Sequence, residues 1–161
     1  PHARDLGLAP SIAAGVLATI GGVSMLGRFT MGTINDGIGG RRSLIICFTI
    51  LIGGLAWLQV SGSIWMLFIF AAIYGFAHGG LFTVMSPTVA ELFGTGSHGL
   101  LFGLVLFSGT LGGAAGPLMA GRIFDLTGSY RLVFIILTVM ALLGAVLITT
   151  LRPPTRKTEH P

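Results

Sequence analysis

Arg28 places a guanidinium inside an otherwise apolar run, GVSMLGRFTMG. A charge there costs several kcal/mol unless it meets an anion, a partner or water. Its two parallel N–H donors match the two oxygens of a carboxylate, so one reading is an anion ligand. The other is that Arg28, about two turns from the end of its segment, snorkels to the surface. Tyr74 and His78 stand one helical turn apart and share a face. They would line a polar cavity, with His78 able to carry a proton near neutral pH; alternatively His78 is a buried structural group bonded to a neighbouring helix. Further charges gather in GTINDGIGGRR, Gly32 to Arg42. Asp36, Arg41 and Arg42 there, with Glu91, read either as an inter-helix cluster that holds one side shut and breaks on opening, or as a solvated loop. Arg122, Asp125 and Arg131 make a second set, a candidate matching latch. No metal cluster, nucleophile triad or phosphate loop appears. GVSMLG and GLVLFSG are glycine-rich but lie inside apolar runs, where a phosphate cradle has no physical basis. Neither an enzyme nor a cofactor is expected.

The elements that must position these groups are set by composition. Of 161 residues, 53% are hydrophobic and 9% charged, against roughly 25% charged in an ordinary soluble domain. Mean hydropathy is +0.92. The expected fold is all-α, a polytopic transmembrane helix bundle of five spans at about 11–34, 43–60, 64–86, 100–121 and 132–151, each near the roughly 20 residues a bilayer requires. A barrel would show alternating segments of roughly ten residues instead. Pro87 and Pro117 read either as a break and a kink in the spans or as residues that fix a helix end, and Trp57 and Trp65 flank the SGS turn as interfacial anchors. Glycines in the fourth span, such as Gly109 with Gly113 and Gly112 with Gly116, have the spacing of close helix contacts. Cys47 reads as a small buried apolar residue. The net charge of +4 is spread over short connections rather than one stripe, which argues against a nucleic-acid partner. The chain begins at Pro1 without a visible signal peptide, which reads as a fragment or a processed piece.

In a five-span zigzag, Arg41, Arg42, Arg152, Arg156 and Lys157 fall on one side, and Arg4, Arg122 and Arg131 on the other, near Asp5 and Asp125. The richer side is expected to be cytoplasmic, with a cytoplasmic tail at 152–161. The hinge also has an echo. GTINDGIGGRR over GRIFDLTGSYR pairs Gly32 with Gly121, Ile34 with Ile123, Asp36 with Asp125, Gly39 with Gly128 and Arg42 with Arg131, at a constant offset of 89 residues; the same register pairs Gly27 with Gly116. Three crossings separate the hinges, the pattern of an inverted three-helix repeat. The first helix of the earlier unit is then missing.

Gly32, Asp36, Gly39, Arg41 and Arg42 resemble the signature loop of the major facilitator superfamily, in a degenerate copy where Gly37 and Gly40 replace basic residues. The chain is similar to spans eight to twelve of that twelve-helix fold. Gly27 to Phe29, Glu91 to Gly94, Gly116-Pro117 and Asp125 to Tyr130 resemble the monocarboxylate transporters and oxalate/formate antiporters. The resemblance implies a secondary transporter moving a small organic anion, a carboxylate, by alternating access with proton symport or anion exchange. Arg28, Tyr74 and His78 would bind substrate; Gly32, Asp36, Arg41, Arg42, Glu91, Asp125 and Arg131 would gate. Members with an acid one turn before the arginine have Ser24 here. The implied partners are the anion, protons, the lipid bilayer and the missing N-terminal six-helix half; the implied location is the plasma or bacterial inner membrane. The alternative is a non-transporting interaction or sensor module on the same scaffold.

Overall fold

The computed structural model describes residues 10–151, so Arg4, Asp5, Arg152, Arg156, Lys157 and the expected tail lie outside the described residues. Five helices follow one another: α1 (Pro10–Ile38), α2 (Gly40–Gln59), α3 (Ile64–Phe93), α4 (His98–Thr127) and α5 (Arg131–Thr150), with no strand among the described residues. All five are long and apolar enough to cross a membrane. The fold class is the expected one.

Three helix ends run further than the sequence suggested, for one shared reason. The only positive-φ residues described are Gly39 (+82°), Gly94 (+76°) and Gly128 (+67°). Each directly follows a helix, and each still donates its N–H to the carbonyl four residues back: Asn35 at 2.9 Å, Ala90 at 2.9 Å and Phe124 at 2.7 Å. At three of the four connections the reversal thus falls on a glycine that accepts a conformation other residues resist, whereas the connection at residues 60–63 turns without one. NDGI stays helical up to Gly39, and α3 continues through Pro87 rather than breaking there. α4 likewise continues through Pro117. The echoed glycines Gly39 and Gly128 thus occupy equivalent places, each closing its helix.

α1 and α3 run parallel, as the matches of Ile20 with Gly75, Ser24 with Gly79 and Gly32 with Thr83 show. Their backbones approach through glycine: a Cβ at Gly75 would lie 2.6 Å from the Ile20 carbonyl oxygen, and Gly27 faces the Phe76 backbone in the same way. Where lipid gives no hydrophobic drive, such approach lets dispersion hold helices together. α2 lies antiparallel to α3, with Gly54 against Ile73 and Gly80 against Cys47. Met31, Leu44, Cys47, Val84 and Ile148 form a core drawn from α1, α2, α3 and α5. At the other end, the Trp57 indole donates to the Met66 carbonyl at 3.1 Å and meets Trp65 edge-on at 6.2 Å.

α4 stands apart. It has no buried residue and touches its neighbours near its two ends, where His98 meets Ser86 at 3.2 Å and Phe124 stacks on Tyr130 at 4.6 Å. Gly109, Gly112, Gly113 and Gly116 meet nothing within 4 Å among the described residues. The close packing is made by Gly27, Gly54, Gly75, Gly79 and Gly80 instead. Because α3 parallels α1 and reverses at Gly94, α4 runs against α1, which puts the Gly39 and Gly128 hinges at opposite ends of the bundle.

Candidate functional site

Arg28 lies on α1 next to Gly27, one of the points where the α1 and α3 backbones come close. Its side chain is exposed and has no hydrogen-bond or ion-pair partner among the described residues. His78 is within electrostatic reach of it. On α3 the rings of Phe70, Tyr74, His78 and Phe82 succeed each other every four residues and form a ladder. Tyr74 lies 5.6 Å from Phe70 and 5.5 Å from His78, and His78 lies 4.9 Å from Phe82. Spacing by one turn stacks side chains on one face, so the ladder is local in origin and its position beside Arg28 comes from the α1–α3 crossing.

Tyr74 and His78 stack on each other, and Arg28 lies within electrostatic reach of His78. Tyr74, with Phe70, also borders an apolar cleft of about 430 Å³ lined by Ile20 of α1, Leu55 of α2, and Phe134 and Leu137 of α5. Ser24 is buried; its hydroxyl donates to the Gly21 carbonyl at 2.8 Å, so it is engaged within its own helix. Phe82, half exposed and stacked on His78, is a ring that the sequence reading left out. Its signal was available, since it continues the four-residue spacing.

The charges near Gly39 sort into two kinds. Glu91 Oε2 accepts the Gly40 N–H at 2.9 Å, tying the end of α3 to the start of α2. The Arg41 guanidinium donates through Nε to the Ile148 carbonyl at 3.3 Å and through a terminal nitrogen to the Thr149 carbonyl, at the last turn of α5. A cation there also answers the negative end of the helix dipole. Asp36 and Arg42 are exposed and unpaired among the described residues. Gly32 sits in the α1–α3 seam, where a Cβ would meet Thr83 at 3.4 Å. At the far end, Asp125 and Arg122 line an open cleft of about 780 Å³, while the Arg131 side chain is exposed and its backbone N–H donates to Ser129 Oγ at 3.2 Å.

Two polar residues went unremarked or were set aside in the sequence. Asn35, one position before Asp36, is buried and its Oδ1 has no partner among the described residues. His98 is the first residue of α4 rather than a loop residue, bridging to Ser86 and stacking on Phe102 at 5.7 Å.

Apolar helices packed through glycine, with an unpaired arginine on an open face, define a polytopic integral membrane protein. The sequence profile of the Major Facilitator Superfamily matches residues 1–161, and the chain belongs to that superfamily. It is 32% identical over 152 residues to monocarboxylate transporter 13 of Rattus norvegicus, covering 93% of this chain and 36% of that protein. Monocarboxylate transporter 12 of Homo sapiens is 28% identical over 156 residues, covering 92% of this chain and 30% of its own length. Monocarboxylate transporter 2 of Homo sapiens is 28% identical over 138 residues, with 83% and 29% covered. The chain thus spans about a third of the length of the curated relatives it matches. The resemblance carried by GTINDGIGGRR and the Glu-Leu-Phe-Gly at Glu91 holds.

Proposed function

We propose that this chain supplies five spans, the eighth to the twelfth, of a secondary transporter that moves a small organic anion, a carboxylate, by alternating access. The observation that carries the reading is Arg28: exposed, unpartnered among the described residues, and within electrostatic reach of His78 in a ring ladder. Relatives named as monocarboxylate transporters support the same substrate class. A guanidinium held at a fixed height by the Gly27 crossing offers two parallel donors to a carboxylate. The adjoining rings offer an apolar wall to the rest of the molecule, and His78 is the residue placed to exchange a proton with it.

Glu91 and Arg41 act here as clasps. They bind the ends of α2, α3 and α5 into one body that moves as a unit, while Asp36 at one end and Asp125 and Arg131 at the other face outward to meet the second half of the transporter as gate and latch. The end with Arg41 and Arg42 is taken as cytoplasmic, in a plasma or bacterial inner membrane.

The test is exchange of a labelled carboxylate by the full-length protein in proteoliposomes. Arg28→Ala is expected to lower exchange about tenfold to a hundredfold, from roughly 1.5–3 kcal/mol per charge-assisted hydrogen bond, and Arg28→Lys to fall between. Normal exchange by a folded, membrane-inserted Arg28→Ala protein would refute the assignment.

A further inference from the structure

At the Gly39 end a cleft of about 510 Å³ opens between α1, α2 and α3, lined by Ile38, Arg41, Arg42, Ile45 and Glu91 with the two glycines of the turn. Two of its three charges are occupied: Glu91 holds the Gly40 N–H and Arg41 holds the last carbonyls of α5. Arg42 is left, exposed and unpaired among the described residues.

Arg42 also heads a stripe. The exposed positions of α2 are Arg42, Ile46, Thr49, Gly53, Ala56 and Gln59, at steps of four and three that keep to one face of the helix. Below Ile46 the stripe runs through the small residues Thr49, Gly53 and Ala56 to Gln59, and a Cβ at Gly53 would meet nothing within 4 Å. The helix is 20 residues long, about 30 Å at 1.5 Å per residue, which matches the hydrocarbon thickness of a bilayer. Arg42 therefore stands at headgroup depth and the small-residue stripe runs down beside the acyl chains.

We propose that this face of α2 is a binding site for one anionic phospholipid, its phosphodiester held by Arg42 and an acyl chain laid along Ile46, Thr49 and Gly53. A guanidinium matches two phosphate oxygens with two donors. The anionic headgroup is favoured by the charge around it, since Arg41 and Arg42 outnumber Glu91 in the cleft. Basic clusters at this depth attract anionic lipid at about 1 kcal/mol per residue. The site lies on the face of α2 turned away from the α1–α3 seam and is independent of the carboxylate reading.

Native mass spectrometry of the full-length protein, released from mixed phosphatidylglycerol and phosphatidylcholine, tests it. The natural protein is expected to retain phosphatidylglycerol preferentially. Arg42→Gln should cut that preference about fivefold, with Arg42→Lys keeping most of it. Gly53→Leu, which fills the stripe without touching a charge, should lower retention of either lipid. Unchanged preference in Arg42→Gln would overturn the proposal, and so would displacement of the lipid by millimolar inorganic phosphate, which would mark a soluble-anion site. Equal retention of both lipids by the natural protein would overturn it as well.

Discussion

Glu91 and Arg41 look alike in the sequence, each a charge near a helix end, yet their partners are what separate a clasp from a gate. Glu91 reaches Gly40 across 51 positions and Arg41 reaches Ile148 across 107. No local pattern encodes contacts of that separation, which is why the sequence left gate and solvated loop both open. Arg28 was legible because its argument is local: a charge in an apolar run needs an explanation wherever the run packs. Removing the acceptor on Glu91 leaves a helix-start N–H unsatisfied. Glu91→Ala is expected to lower the stability of the full-length protein in detergent by about 1 kcal/mol, read as a lower Tm, while Glu91→Gln, which keeps an acceptor oxygen, loses less. An unchanged Tm for Glu91→Ala would remove the clasp.

Between elements, glycine does two distinct jobs that composition alone does not separate. The five spans were legible as unbroken apolar length, but their ends were not, because NDGIGG offers several glycines and only Gly39 leaves the helix. Likewise the spacing of Gly109 with Gly113 drew attention to α4, whereas the close contacts fall at Gly27, Gly75 and Gly79. The distinction is testable by adding one methyl group. Gly75→Ala forces a Cβ against the Ile20 carbonyl and is expected to destabilise the bundle by about 1–3 kcal/mol, the usual range for overpacking. Gly22→Ala, on α1 with nothing within 4 Å, should be neutral or stabilising by up to about 1 kcal/mol through helix propensity. Thermal unfolding of the two variants side by side reads the difference; equal effects would contradict the seam.

At the scale of the whole molecule, the repeat and the packing meet at α4. Gly27 and Gly116 pair in the sequence at the offset of 89 residues, but Gly27 lies against a neighbouring backbone and Gly116 meets nothing within 4 Å among the described residues. Under the transporter reading, the Gly116 face is covered by helices of the full-length protein, as α3 covers Gly27. Gly116→Leu is then expected to reduce the yield of monodisperse full-length protein in size-exclusion chromatography, and a normal yield would argue that this face meets only lipid. The site itself belongs to this scale as well, because Arg28 and His78 come from helices that meet only through the α1–α3 seam. Direct binding of a carboxylate and of its neutral amide, titrated into the full-length protein and its Arg28→Ala variant, tests the claim that Arg28 grips the anion. The natural protein should prefer the acid by about tenfold or more and the variant should bind acid and amide alike; an undiminished preference in the variant would contradict the account.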